Sequence, residues 1–367
     1  MGTTRDIVVL SSVRTAVGGY GGSLKSIAPC ELAATVIREA VRRAGVDPAA
    51  VGHTVLGNVI HTEARDMYLS RVASVNAGLP VDTPAFTLNR LCGSGLQAIV
   101  SATQQIETGH CDIAVGGGVE CMSRAGYTST SQRWGSRMGD SAMVDMMVGA
   151  LTDPFEGVHM GITAENIAEK WEITREDQDQ LAVESHRRAA AAWEEGYFKD
   201  QIVPIEIKSR KGTILFEKDE HFRADANMDG MAKLRPIFKK DGTVTAANAS
   251  GINDAASAIV LASAETAEAN GLKPMARLVG YAFAGCEPKY MGIGPVPAVR
   301  RLLEDTGMSI SDFDLFEVNE AFAAQALAVV RDLDLPMEKT NPNGSGISLG
   351  HPIGATGSIV TTKAIHE

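Results

Sequence analysis

The chain has 367 residues, 44% of them apolar, with 37 glycines and 5% aromatic residues. That balance implies an α/β protein of two or three domains with many tight turns, and it excludes a disordered or fibrous chain. A formal charge of −11 argues against nucleic acid or an anionic membrane as the main partner, and confines any anionic small ligand to a local basic patch. The five cysteines have no paired spacing and no C-x-x-C, so reduced thiols in a cytoplasmic protein are expected, not disulfides or a zinc site. No stretch approaches the roughly 18 consecutive apolar residues of a membrane span. No basic and apolar leader precedes the strand-like Ile7-Val8-Val9-Leu10.

Residues 7–11 predict a buried strand. Pro29 then opens a helix that places Leu32, Val36, Ile37, Ala40, Val41 and Ala44 on one face and ends at Gly45. Strands are predicted over 53–60 and 85–90, and the second leads into Cys92-Gly93-Ser94-Gly95. The following helix carries Leu96, Ile99, Val100, Thr103 and Ile106 on one face. Asp112 to Val115 predicts a strand ending in Gly116-Gly117-Gly118. Strands alternating with helices imply a mainly parallel sheet.

From Glu120 to Ser250 the chain gains Met, Trp, Arg and charge, and its helices, such as Thr174 to Gly196, are polar on one side. This stretch reads as a large excursion from the core. A second α/β half starts near Lys273, with a strand over Ala276–Tyr281, a helix from Pro295 and Pro297 to Gly307, and a strand over Phe313–Val318. An offset of 262 residues pairs Gly45 with Gly307, Val51 with Phe313, Leu56 with Val318 and Gly95 with Gly357. The shared order of elements supports a duplication. The expected division is 1–119, completed by about 251–272, then 120–250, then 273–367.

Three clusters carry chemistry. Cys92 follows a strand, opens a helix and is flanked by glycines, a setting whose N–H groups and dipole favour a thiolate. Read alone, a free cysteine is more commonly a small buried apolar residue. Gly350-His351-Pro352-Ile353-Gly354-Ala355-Thr356-Gly357, preceded by Asn343-Gly344-Ser345-Gly346, places a histidine at a glycine-rich turn before a helix. The turn exposes it and neighbouring backbone fixes its tautomer, as a general base needs; a hydrogen-bonded loop histidine is the plain alternative. Asn319-Glu320-Ala321-Phe322 ends a predicted strand, where open α/β sheets bind ligands, or else Asn319 caps a helix.

Together these segments closely resemble the signatures of the thiolase family. The resemblance covers essentially the whole chain, including Val13-Arg14-Thr15, Gly116-Gly117-Gly118-Val119-Glu120-Cys121-Met122-Ser123 and Thr245-Ala246-Ala247-Asn248-Ala249-Ser250-Gly251-Ile252-Asn253-Asp254. It is nearest to the bacterial short-chain β-ketothiolases, or acetyl-CoA acetyltransferases. It implies duplicated βαβαβαββ halves in a five-layered αβαβα arrangement, with residues 120–250 as an inserted loop domain that binds coenzyme A and supports a homotetramer, a dimer of dimers. It implies ping-pong acyl transfer that makes or cleaves acetoacetyl-CoA and other short 3-oxoacyl-CoAs, as in fatty acid metabolism or polyhydroxyalkanoate biosynthesis. Acetyl-CoA, acetoacetyl-CoA and coenzyme A are then the ligands, with no metal or other cofactor.

By the same resemblance Cys92 takes the acyl group and His351 activates it. Asn319 holds a water that forms one oxyanion hole with a His351 N–H, and the Cys92 N–H belongs to another. Arg223 matches the adenine and phosphate end of the ligand. Ser250, His159 and Phe238 lie along the pantetheine path, with Ala321 and Phe322 in the substrate-binding set. Met160 and Met291 shape the acyl pocket. From the residues alone, Arg223 is an ordinary solvated charge and the two methionines are core filling. The family also places a second catalytic cysteine in a C-x-G-x-G segment, and no such segment occurs up to Glu367. The expectation is that the last strands of the second half are missing, together with that cysteine and a glycine N–H of the second oxyanion hole. Two other readings compete: a coenzyme-A-binding or assembly-only homologue, and a ketoacyl synthase of the same superfold, which typically has histidine where Asn319 stands and lacks the loop domain.

Overall fold

The computed structural model describes residues 5–209 and 212–367. Its centre is a seven-stranded sheet built from β1 (Ile7–Arg14), β2 (His53–Gly57), β3 (Ala85–Leu88), β4 (Ile113–Cys121), β5 (Asn253–Ser263) and β6 (Ala276–Leu278), in the order β6-β1-β5-β4-β2-β3. The short strand Gly18–Gly19 adds to β5. β2 runs parallel to β3 and β4. β5 lies antiparallel to both β1 and β4, and β6 antiparallel to β1. The sheet is therefore mixed, not mainly parallel. Parallel neighbours follow from single helix crossovers, and the long detour between β4 and β5 escapes that constraint.

Side chains alternate across the sheet. Val8, Leu10, Val115, Ala258 and Val260 pack with α1 (Pro29–Ala44) and α2 (Leu69–Ala77) on one face. Ile7, Val9, Ala114, Ile259 and Leu261 pack with α3 (Ser94–Glu107) on the other. A bulge between Val9 and Ser11 turns Ser11 to the α1 side, where its hydroxyl donates to Ala40 O at 2.6 Å. Ser12 then faces α8 (Ile353–His366) through the Thr362 hydroxyl at 2.8 Å. α1 follows its predicted course: Pro29 stands in the first turn and Gly45 closes it at φ 67°.

β4 does not stop at the glycine triplet but continues through it to Cys121. A Cβ on Gly116 would stand 2.8 Å from Ile99 Cα, one on Gly117 2.2 Å from Ser257 O, and one on Gly118 2.1 Å from Gly354 O. The triplet is thus a seat for α3, β5 and the start of α8, not a turn. α3 and α8 touch backbone to backbone: a Cβ on Gly95 would meet Ser358 N at 2.6 Å, and one on Gly357 would meet Leu96 N at 2.3 Å.

Between Cys121 and Asn253 the chain leaves the sheet. It forms α4 (Met160–Lys170), α5 (Arg175–Glu195) and short hairpins. α5 starts at a Thr174–Asp177 capping box and ends on left-handed Gly196, as the sequence predicts. Asp219 ties this excursion back to β1. Its carboxylate pairs with fully buried Arg14 at 2.8 Å and also accepts from Val17 N and Trp193 Nε1. The last segment contributes β6, α6 (Pro295–Thr306), α7 (Ala323–Asp332) and α8. The predicted strand over Phe313–Val318 is reduced to one bridge, Phe316 with Thr340. The Asn341 side chain takes up both Val318 N and Val318 O, so that backbone is satisfied without a ladder. Among the described residues no second large sheet forms, and no helix is long and apolar enough to cross a membrane.

Candidate active site

The turn from β3 into α3 is built around Leu91, whose φ of 45° costs a non-glycine residue roughly 1–2 kcal/mol. Asn89 Oδ1 accepts from Leu91 N at 2.8 Å. Ser94 Oγ accepts from Arg90 N and donates to Leu91 O at 2.7 Å. These bonds hold Cys92 just before the Gly93 cap of α3. Cys92 packs against an apolar wall of Ile60, Met122 and Ile353. That wall changes the expected electrostatics. Burial pushes the thiol up to about 11, with Glu120 adding to the rise and the N–H contact at Cys92 opposing it. The helix start therefore does not deliver a resting thiolate.

His351 is buried, at 4% exposure, where an exposed turn was expected. Burial lowers its pKa to about 4. Its tautomer is set by a side chain and not by backbone. The Thr356 hydroxyl donates to Pro352 O at 3.0 Å and lies 2.7 Å from His351 Nδ1. A hydroxyl has one hydrogen, so with Thr356 bonded to Pro352 O the Nδ1 is the donor in that contact, and Nε2 is the unprotonated nitrogen, which the Asn319 amide N–H faces. Asn319 Nδ2 stands 3.4 Å from the ring. The Asn319 carbonyl oxygen is buried with no hydrogen-bond partner among the described residues. Asn319 caps no helix, since α7 begins at Ala323 with Phe322 in the cap position.

A second group forms an aromatic strip. His159 stacks on Phe238 at 4.6 Å, and Phe238 meets Phe322 edge-on at 6.2 Å. Ala249 bridges to Phe322, and Ser250 N donates to Ala321 O at 2.9 Å. His159 also caps α4, its Nδ1 accepting from Gly161 N, and Met160 is the first residue of that helix. Met291 lies in the turn over Pro288–Ile293, which packs on α4. Arg223 has an exposed side chain, and its N–H donates to buried His186 Nδ1 at 3.1 Å.

The match to known proteins follows this geometry. Residues 7–265 match the family "Thiolase, N-terminal domain" and residues 272–367 match "Thiolase, C-terminal domain". The chain belongs to the thiolase family. This thiolase is 62% identical over 365 residues to the beta-ketothiolase BktB of Cupriavidus necator, covering 99% of this chain and 93% of that protein. It superposes on the crystal structure of the Bacillus anthracis acetyl-CoA acetyltransferase with a TM-score of 0.97 at 48% identity, covering 100% of this chain and 93% of the other. With human mitochondrial 3-ketoacyl-CoA thiolase in complex with CoA the TM-score is 0.95 at 43% identity, covering 99% and 91%. The expected loss of C-terminal strands is not confirmed, because the C-terminal family match runs through residue 367.

The sequence reading of this thiolase missed Thr356, Asn253 and Glu120. Asn253 Oδ1 accepts from His351 N at 2.9 Å. Glu120 accepts from Gly354 N at 2.9 Å. Only Thr356 left a trace, five residues after His351 at the start of a helix. The other two reach the site from the sheet, and no spacing along the chain announces them.

Proposed function

We propose that this thiolase forms an acetyl-thioester on Cys92, and makes or cleaves acetoacetyl-CoA and other short 3-oxoacyl-CoAs by ping-pong transfer. The observation that carries the reading is the unprotonated Nε2 of buried His351, two residues before Ile353 in the wall that holds Cys92. A thiol raised to about 11 cannot rely on ionising first, so proton removal has to accompany attack. His351 Nε2 takes the Cys92 proton as sulfur bonds to the acetyl carbonyl carbon. The carbonyl oxygen gains negative charge, which His351 Nε2–H and an Asn319-held water receive. The carbon–sulfur bond to coenzyme A then breaks, and its thiolate recovers the proton. The unpaired Asn319 oxygen supports the water. The Cys92 N–H serves the second oxyanion.

Coenzyme A then lies on the excursion, in the proposed loop domain 120–250. Its pantetheine arm follows His159, Phe238, Phe322, Ala321 and Ser250, with Met160 and Met291 at the acyl end. Exposed Arg223, Lys233 and Arg235 offer positive charge for the phosphates. No further cofactor enters these steps. Trp134, Met138 and Phe155 are 90%, 95% and 78% exposed, which supports burial of this face in a homotetramer.

Incubation with acetyl-CoA, digestion and mass mapping test the assignment. Acetyl is expected on Cys92, and Cys92→Ala should abolish cleavage of acetoacetyl-CoA. Acetyl on another cysteine, with Cys92 unmodified, overturns it.

A further inference from the structure

We propose that Glu120 is a positioning residue whose carboxylate locks the His351 turn onto the wall behind Cys92, and so sets the approach of base to nucleophile. This rests on the reading of Cys92 and His351 given above.

Glu120 is fully buried near the end of β4. Its Oε2 accepts from Gly354 N at 2.9 Å and Val59 N at 3.0 Å. Its Oε1 accepts from Ile60 N and Asn58 Nδ2, both at 3.0 Å. One carboxylate thus gathers the segment after β2, the end of β4 and the first turn of α8. These are the segments that meet at the site. Ile60 and Ile353 line the wall of Cys92, and Gly354 stands three residues after His351. A Cβ on Gly354 would sit 2.4 Å from Glu120 Oε2, so glycine is what lets this N–H reach the acid.

The contact set calls for a carboxylate. All four partners are N–H donors, and an ionised carboxylate offers about four acceptor sites and no donor. A protonated oxygen or an amide nitrogen would point hydrogen at hydrogen. Burial raises the Glu120 pKa, against the pull of the N–H groups of Ile60, Val59 and Gly354. But four N–H donors face its two oxygens and no acceptor among the described residues does, so a proton has no place there and the geometry assigns the ionised form. A buried acid so placed is costly unless each acceptor site is used, and here each oxygen receives two donors. Asn253 Oδ1 holds His351 N, and Thr356 holds its ring. Glu120 supplies the third hold, and the only charged one of the three.

The test compares wild type, Glu120→Gln and Glu120→Asp. Gln keeps the size but replaces one acceptor oxygen by a donor; Asp keeps the charge but draws it back toward β4. Single-turnover acetylation of Cys92 is followed by mass, with kcat, KM for acetyl-CoA and thermal midpoint measured alongside. In Glu120→Gln, acetylation and kcat should fall on the order of 10–100-fold, as for a base displaced by about 1 Å, while KM stays within about twofold. If Glu120→Gln does not fold, Glu120→Asp carries the test with the same split between kcat and KM. A folded variant that acetylates Cys92 at the wild-type rate, or one that loses activity through KM alone, overturns the proposal. Absence of acetyl on Cys92 in the wild type instead overturns the underlying assignment of the nucleophile.

Discussion

Which nitrogen of His351 is unprotonated depends on one hydroxyl hydrogen. Thr356 gives it to Pro352 O, so the ring donates from Nδ1 and leaves Nε2 unprotonated for the proposed role of base. Thr356→Val keeps the shape and removes the partner. The ring is then free to take the other tautomer, and kcat for acetoacetyl-CoA cleavage should fall on the order of 10–100-fold. Thr356→Ser should restore most of it. Steady-state kinetics of the two variants check this, and equal rates in Thr356→Val and wild type would remove the hydroxyl from the mechanism. Arg223 is a residue of a different kind. Its guanidinium is exposed and in the proposed arrangement holds phosphate, not the reacting carbon, so Arg223→Ala should raise KM for acyl-CoA several-fold with little change in kcat. The rise should shrink as ionic strength increases. A KM equal to wild type at every salt concentration counts against phosphate contact.

The two helices that follow Cys92 and His351, α3 and α8, meet through glycines. Gly95 faces Ser358 N and Gly357 faces Leu96 N. These contacts are related by the same offset of 262 residues that the sequence shows, so the repeat has a physical expression: each glycine seats the other helix's backbone. A methyl at either place meets backbone, which cannot swing aside. Gly357→Ala should push the helices apart, cost about 1–3 kcal/mol of stability, and lower kcat by moving His351 relative to Cys92. Denaturant unfolding together with kinetics checks both effects. A variant as stable and active as wild type would show that the helix pair tolerates separation.

For the molecule as a whole, two of the described histidines, His186 and His351, are buried. The pKa of His186 is lowered to about 4 by burial and by nearby His221 and Arg223. A folded pKa below the unfolded value near 6.5 means that the unfolded chain binds the extra proton first. The stability linked to His186 is therefore complete above about 6.5 and is lost as pH falls toward 4. His186→Asn offers Oδ1 in place of Nδ1 to Arg223 N and has no proton to gain. Its stability should fall less steeply across that window, by up to about 1.4 kcal/mol per pH unit. Unfolding curves at several pH values measure the difference, and parallel curves would place the His186 pKa near its ordinary value.

Cys92 at a helix start, His351 in a glycine-rich turn and the repeat were legible from residue type and local spacing, whereas His159, Phe238 and Phe322 were reached only through the family resemblance. Glycine before and after Cys92, a histidine in a glycine-rich turn and helix faces at regular intervals are local signals, and they formed locally: α1 and α5 run where the pattern puts them. Sheet direction was not legible, because strand pairing depends on where the chain returns after the excursion, and β5 returns into the centre, against both neighbours. Nor was the protonation of Cys92. Local position favours a thiolate at Cys92, whereas the wall formed by Ile60, Met122 and Ile353 removes water and favours the thiol. The fate of Phe313–Val318 was likewise decided by a distant partner, the Asn341 side chain. Sequence thus determined the family and the candidate groups for its chemistry. Tertiary structure decided their protonation and mutual placement, because desolvation and hydrogen-bond partners arrive from segments far along the chain, as Glu120 and Asn253 do at the His351 turn.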